Sequence, residues 1–143
     1  MTLRSVAVAS LLAAAACVPP GSAAPLAAPA VRPAGDSALV RDVVYFGRNR
    51  PDGGTVSDSE WQGFLDRVVT PKFPDGFTVV EGTGQWKGRT GMVERERSAV
   101  VTFLHAGSAA DRGAVAAVAE EYKRRFRQEA VLRERTPTCA RFE

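Results

Sequence analysis

Apolar residues occupy both faces of the first patterned segment, residues 39–47 (LVRDVVYFG). Successive side chains of a strand point to opposite sides, so Val43 and Tyr45 share one face and Val44 and Phe46 share the other. A strand that is apolar on both faces is typical of the middle of a sheet. We therefore predict a central first strand at 39–47, followed by a loop of turn residues over 47–55 (GRNRPDGGT).

The pattern then changes to helical spacing. Ser57, with Glu60 three residues later, forms the capping-box pattern of a helix start. The apolar residues that follow recur at i, i+3, i+4 and i+7: Trp61, Phe64, Leu65 and Val68. Pro71 disfavours helical backbone at the residue before it. The segment predicts one helix that ends near Thr70 and buries an aromatic stripe.

Two further strands are predicted on either side of a hairpin turn at 87–91 (KGRTG). The second strand covers 77–86, and its glycines, Gly82 and Gly84, predict a bulge. The third strand covers 92–105. Its polar first half (MVERERS) is expected to project past the sheet, whereas its second half (AVVTFLH) is apolar on both faces and therefore central.

A second helix is predicted to begin at Ser108 or Asp111. Its buried stripe consists of Val115, Val118, Ala119, Tyr122 and Phe126. A fourth strand follows at 130–135 and is expected to resume toward Phe142. The order is β-α-β-β-α-β, which predicts an α+β, ferredoxin-like two-layer sandwich with an antiparallel sheet.

The distribution of charge among the strands agrees with that topology, which places strands one and three in the middle of the sheet. The two predicted edge strands carry the charged residues Glu81, Arg133, Glu134 and Arg135. Two helices cover one face of such a sheet, and the other face stays open although its strands are apolar. An exposed apolar face usually marks a partner or ligand surface. We expect a homodimer through it; the alternative is coverage by the N-terminal or C-terminal segment.

The N-terminal 24 residues are predicted to be a signal peptide: Arg4 precedes an apolar run at 6–16 (VAVASLLAAAA) that is too short to span a bilayer. Two cleavage sites compete. A lipoprotein-type signal would be cut before Cys17, which would then carry the lipid. Ordinary cleavage would fall near residues 21–24 (GSAA). The protein is thus expected to be extracytoplasmic, either as a membrane-anchored lipoprotein or as a periplasmic or secreted protein.

Residues 18–38 are rich in proline, alanine and glycine without apolar periodicity and predict a flexible tether. Residues 39–143 then form a single α+β domain. A formal net charge of +3 from 19 basic and 16 acidic residues does not resemble a nucleic-acid binder. With one histidine and one cysteine in the domain, neither a metal site nor a cofactor is expected, and membrane contact is expected only through a lipid at Cys17.

Several polar and aromatic residues are predicted to gather at one end of the domain. The candidate ligand-binding residues are Tyr45, Arg48, Arg50, Asp52, Gln85, Trp86 and Arg95. Arginines beside a helix N-terminus favour an anion, and Trp86 would add an aromatic wall. The alternative is a solvated turn whose arginines pair with Asp52, Glu94 and Glu96.

His105 and Cys139 are predicted at the opposite end. A Cys–His pair would supply a nucleophile and its base. The alternatives are a histidine that satisfies a loop hydrogen bond and a cysteine that serves as a small strand residue. The spacing alone assigns neither residue a role.

A set of segments resembles a known bacterial family. The segments are Tyr45–Gly47, Gly54–Ser57 followed by Trp61 and Phe64, Val69–Pro71, Phe73–Gly76, Gly84–Trp86, Tyr122–Lys123 with Phe126 and Gln128, and Cys139. Together they resemble domain of unknown function 3574, whose members are small proteins that often carry export signals. The resemblance spans residues 40–142, implies the domain limits and a bacterial setting, and transfers no catalytic residue.

Three functions remain open. The first is a non-enzymatic binding or accessory protein for a small anionic or aromatic ligand or for a protein partner. The second is a small cofactor-free enzyme, similar to monooxygenases or isomerases on a ferredoxin-like dimer, with Tyr45, Arg48, Gln85 or Trp86 at its site. That likeness rests on fold alone. The third is a structural envelope protein.

Overall fold

The computed structural model describes residues 31–87 and 91–143. The predicted signal peptide, Cys17 and most of the predicted tether lie outside the described residues. The chain is a mixed helix and strand domain with these elements: β1 (Ser37–Gly47), α1 (Asp58–Phe64), β2 (Thr78–Lys87), β3 (Val93–His105), α2 (Ala109–Phe126) and β4 (Leu132–Ala140). None of the described helices is long and apolar enough to cross a membrane.

The four strands form one open sheet in the order β2-β3-β1-β4, and every neighbouring pair is antiparallel. Val44 lies opposite Val101 on β3 and opposite Arg133 on β4. The prediction that the doubly apolar strands are central is therefore confirmed: β1 and β3 lie in the middle, and the charged strands β2 and β4 lie at the edges.

The sheet is longer on the β2–β3 side. β1 pairs with β3 only from Ser98 to His105, whereas β2 stays paired with β3 as far as Lys87 opposite Val93. The polar first half of β3 thus extends past β1, as predicted, but as a two-stranded arm with β2. The predicted bulge at Gly82 and Gly84 is wrong, because the β2–β3 register is unbroken from Thr78 to Lys87.

Both helices pack on the face of the sheet that carries Val44, Phe46, Val101 and Phe103, all fully buried. Aromatic rings fill the layer between sheet and helices. The rings of Phe46 and Tyr122 are edge-to-face with centroids 4.7 Å apart. Side-chain packing of this kind, rather than helix propensity, supplies most of the stability of short helices.

The first helix departs from the predicted single α-helix. The capping box at Ser57 and Glu60 is present as predicted, but residues Leu65–Val69 form a π-helix, with the Thr70 N–H donating to the Leu65 carbonyl at 2.9 Å. The wider turn inserts an extra residue into the helix. Val69, which the α-helical stripe leaves out, is fully buried, and Val68 is 8% exposed.

Arg48 is buried inside the domain, with only 1% of its surface exposed. Its Nε donates to the Val56 carbonyl at 2.9 Å, and its Nη2 donates to Asp58 at 2.8 Å. Its guanidinium also lies 5.6 Å from the centroid of the Trp61 ring. Arg48 therefore joins the end of β1 to the start of α1.

A second buried charge joins β1 to β4. Asp42 is fully buried and accepts two hydrogen bonds from each of Arg133 and Arg135, at 2.7 to 3.0 Å. His105 Nε2 lies 2.7 Å from its Oδ2. Burial raises the pKa of Asp42, but the hydrogen bonds from Arg135, Arg133 and His105 outweigh it and hold the pKa well below its usual value of 3.8.

The hydrogen-bond partners of His105 are Asp42 and the Gly107 backbone. The Gly107 N–H donates to its Nδ1 at 3.0 Å, which is the loop hydrogen bond expected of a histidine at a strand end, and Nε2 faces Asp42. Cys139 is a partly buried residue of the edge strand β4, paired with Ala38. The structure thus gives His105 a role in holding β3 to β1.

Replacing Arg48 tests its structural role. We expect Arg48→Met to lower the free energy of unfolding by about 2 kcal/mol, because the buried Val56 carbonyl loses its donor. Arg50→Met is the matched control: its ion pair with Glu60 is partly exposed, so the loss should stay below about 1 kcal/mol. Urea unfolding measures both, and equal losses for the two variants would contradict the assignment.

Asp42 predicts a component of acid sensitivity. Its folded-state pKa is depressed, so its contribution is fully present above the unfolded value of 3.8 and is lost as the pH falls below that value. We expect Asp42→Asn to be less stable at neutral pH and to lose less further stability between roughly pH 4 and pH 2. Urea midpoints across that window measure the difference between the two proteins. Parallel curves would show that Asp42 titrates normally.

Candidate functional site

A cavity of about 460 Å³ opens on the sheet face that the helices leave uncovered. It lies where β1 ends and the β2–β3 arm continues. Its floor contains three small residues on three adjacent strands: Gly47, Ser98 and Gly84. Gly47 lies opposite Ser98. The Glu96 carboxylate lies over Gly47, and the Ser98 hydroxyl lies over Gly84, so the floor is flat and partly polar.

The walls are aromatic and apolar on two sides. Trp86, 39% exposed, rises from the arm. Tyr45 and Leu132 stand on the opposite side, as cross-strand partners of β1 and β4. The loop residues 49–51 and the α2–β4 connection, residues 128–131, complete the lining. A concave, mostly apolar surface with a few polar groups is the usual form of a small-molecule site.

Hydrogen bonds from three elements fix the floor. The Tyr122 hydroxyl donates to the Gly47 carbonyl at 2.8 Å. Gln128 Nε2 donates to the Asn49 carbonyl at 2.6 Å, and the Asn49 N–H donates to Glu96 at 2.9 Å. Burial raises the pKa of Tyr122 well above its usual value, so the hydroxyl stays a donor. These bonds hold the backbone of Gly47 and Asn49 and the Glu96 carboxylate in the floor.

The arrangement of charge around the cavity is uneven. Glu94 and Glu96 line it from the arm, opposite Trp86 and Gly84 in the β2–β3 register. Arg50 also lines it, but its Nη2 pairs with Glu60 at 2.5 Å. Hydrogen bonds from the Ser57 backbone N–H and from Arg50 lower the pKa of Glu60 to about 2.

Four of the seven residues predicted to bind a ligand line this cavity: Tyr45, Arg50, Gln85 and Trp86. The topology predicts that these residues lie at one end of the domain, and the structure brings these four together.

The other three lie elsewhere. Arg48 is in the interior, held by its own partners. Asp52 pairs with Arg127 at 2.8 Å, as the solvated-turn alternative expects. Arg95 lines a neighbouring shallow depression and donates from Nε to Gln85 at 3.1 Å. The predicted arginines therefore do not form one anion site: Arg48 is buried, Arg50 lines the cavity and Arg95 lines the neighbouring depression.

Sequence reasoning missed the residues that create the cavity. Glycines inside a strand pattern were interpreted as a bulge, although a strand glycine also marks close approach of a ligand or of another group. Glu94 was considered only as a partner for arginine. Gln128 is among the residues of the family resemblance, but only the α2–β4 connection brings it to this face, and only the strand register brings Ser98 there.

No group of three or more histidine, cysteine, aspartate or glutamate residues suited to a metal ion occurs within 31–87 and 91–143. The side chains that line the cavity include two aromatic rings, the carboxylates of Glu94, Glu96 and Glu129, the Arg50 guanidinium and several amide groups.

The fold is similar to two solved structures of phage SAM lyase. One, in complex with S-methyl-5'-thioadenosine, superposes with a TM-score of 0.56 at 20% identity over 82% of this chain and 88% of that one. The other, in the apo state, gives 0.54 at 21% identity over 70% and 81%. At such identity the likeness concerns the fold.

No curated protein matches this chain in sequence. The segments quoted above as a resemblance are nevertheless confirmed by a family model that matches residues 41–142. That match covers most of the chain, and the protein belongs to the family described as Protein of unknown function (DUF3574).

Proposed function

We propose that this domain is an extracytoplasmic, non-enzymatic binding module that holds a small aromatic ligand in the open-face cavity. The observation that carries the proposal is the floor of Gly47, Ser98 and Gly84 between the walls of Trp86 and Tyr45. A flat ring placed on that floor would contact aromatic side chains on both sides, which is the packing that ring pairs favour.

We assign the architecture to the ferredoxin-like class. The strand order β2-β3-β1-β4, the antiparallel pairing and the two helices on one face support this assignment. In this class the uncovered face is the natural place for a ligand or a second subunit.

Binding is favoured over catalysis by where the perturbed groups lie. The pKa of Asp42 and that of Tyr122 depart furthest from their usual values. Asp42 is committed to Arg133 and Arg135, and the Tyr122 hydroxyl is committed to the Gly47 carbonyl. A catalytic site usually places such groups where substrate can reach them.

A small cofactor-free enzyme is the second candidate, and the fold likeness to a phage SAM lyase is the observation that favours it. Such an enzyme would use the same cavity, because the layer between sheet and helices is filled by the Phe46, Phe64 and Tyr122 rings. Turnover of a bound ligand would distinguish it from a binding module.

Filling the floor of the cavity tests the proposal. We expect Ser98→Leu to weaken binding of 4-tert-butylphenol about tenfold or more, because the larger side chain occupies the space of the ring. Thr102→Leu is the control, since Thr102 is on the same strand and the same face but outside the cavity. Titration followed by NMR measures both. Unchanged binding in Ser98→Leu would overturn the site.

We also propose that the rest of the open face mediates a homodimer. Val80 and Leu104 are 58% and 49% exposed there, beside the partly buried Val43 and Val100. Arg41 and Glu134, of opposite charge, are both exposed on this face, so two copies related by a twofold axis offer each other complementary charges.

Light scattering tests the dimer. We expect the wild-type protein to be dimeric and Leu104→Asp to be a folded monomer, because a buried unpaired carboxylate opposes association. Val93→Asp is the control: Val93 is equally apolar and 58% exposed, and it lies on the opposite face of the arm. A wild-type monomer, or dissociation by both substitutions alike, would contradict the open-face interface.

A further inference from the structure

The charge around the cavity indicates which class of aromatic ligand fits it. Of the charged side chains that the structure describes there, Glu94 and Glu96 come from the arm, Glu129 comes from the α2–β4 connection, and Arg50 comes from the β1–α1 loop. From these contacts we infer that the cavity selects an organic cation, such as a quaternary ammonium or sulfonium group attached to a flat ring. The inference rests on the proposed function and adds the charge of the ligand to it.

The positive charge at the cavity is neutralised within the protein. Arg50 Nη2 pairs with Glu60, and its guanidinium lies 5.5 Å from the centroid of the Phe126 ring on the helix side. Glu60 is itself held by the Ser57 N–H in the capping box. An incoming anion would have to compete with a partner that the helix start fixes in place.

The negative charge is arranged differently. Glu94 stands directly across the strand pair from Trp86, on the same face. Glu96 stands across from Gly84. Its carboxylate lies over Gly47, and one of its oxygens accepts the Asn49 N–H. Both carboxylates thus border the floor, and one lies next to the indole ring.

An indole ring beside a carboxylate is the combination that recognises a desolvated organic cation. The negative face of an aromatic ring attracts the positive charge, and the carboxylate adds a direct Coulomb interaction. Tyr45, across the floor, supplies a second ring. The same surface disfavours an anion, because like charges at close range repel.

Isosteric probes separate charge from shape. We would titrate the purified protein with (4-hydroxyphenyl)trimethylammonium, with its neutral isostere 4-tert-butylphenol and with 4-hydroxybenzenesulfonate. We expect the cation to bind about tenfold more tightly than the neutral isostere and the sulfonate to bind most weakly. The preference for the cation should shrink as salt is raised, because the pair is partly exposed.

Substitutions that remove a single negative charge locate the source of the preference for the cation. Glu94→Gln should reduce the affinity for the cation about fivefold and leave that for 4-tert-butylphenol unchanged. Glu120→Gln, at an exposed position of α2 outside the cavity, should change neither.

The outcomes distinguish the two proposals. Equal affinity for the cation and its neutral isostere, or tighter binding of the sulfonate, would overturn the organic-cation inference and leave the aromatic site intact. Saturable binding by none of the three probes would overturn the proposed function itself. A cation preference that is unchanged in Glu94→Gln, or that is lost equally in Glu120→Gln, would overturn the role given to Glu94.

Discussion

The backbone at Gly47 is held from both sides of the sheet, and the architecture of the open end depends on it. From the helix side, the Tyr122 hydroxyl donates to the Gly47 carbonyl. From the open side, the Glu96 carboxylate lies so close that a Cβ at Gly47 would overlap it. With no side chain at Gly47, the carboxylate lies over the strand and accepts the Asn49 N–H. The arm, the end of β1 and the loop toward α1 are therefore coupled through one residue without a side chain.

Two buried charges fix the elements around that point. Arg48 ties the end of β1 to the start of α1 through the Val56 carbonyl and Asp58. Asp42 ties β1 to β4 through Arg133 and Arg135. Both charges face the helices, where a polar group must be paired to be tolerated. The charges on the helix side are thus buried and paired, whereas those of the open face, such as Arg41, Glu94 and Glu134, are exposed.

That division explains why the cavity lies on the uncovered face. The helix side is filled by aromatic rings, and Phe46, Phe64 and Tyr122 contact one another there. On the other side, the small residues of three strands leave a depression between Trp86 and Tyr45. A ligand or a second copy of the chain is the natural cover for such a surface.

The sequence by itself determined the order of the elements, the central position of β1 and β3, and the family. Those properties follow from local periodicity, helix capping and the apolar pattern, all of which involve residues that are close together in the sequence. It also placed Tyr45, Arg50, Gln85 and Trp86 at one end of the domain, since topology fixes which strand ends meet.

Only the tertiary structure decided what those residues do. Arg48 looks like Arg50 in the sequence, yet one is buried and internally paired and the other lines the cavity. Gly47 and Gly84 form a floor only when the register brings Gly47 beside Ser98 and Gly84 beside Glu96. The π-helix at Leu65–Val69 also accompanies the burial of Val69, which α-helical spacing does not predict. These outcomes depend on contacts between residues far apart in the chain, and local patterns carry no information about them.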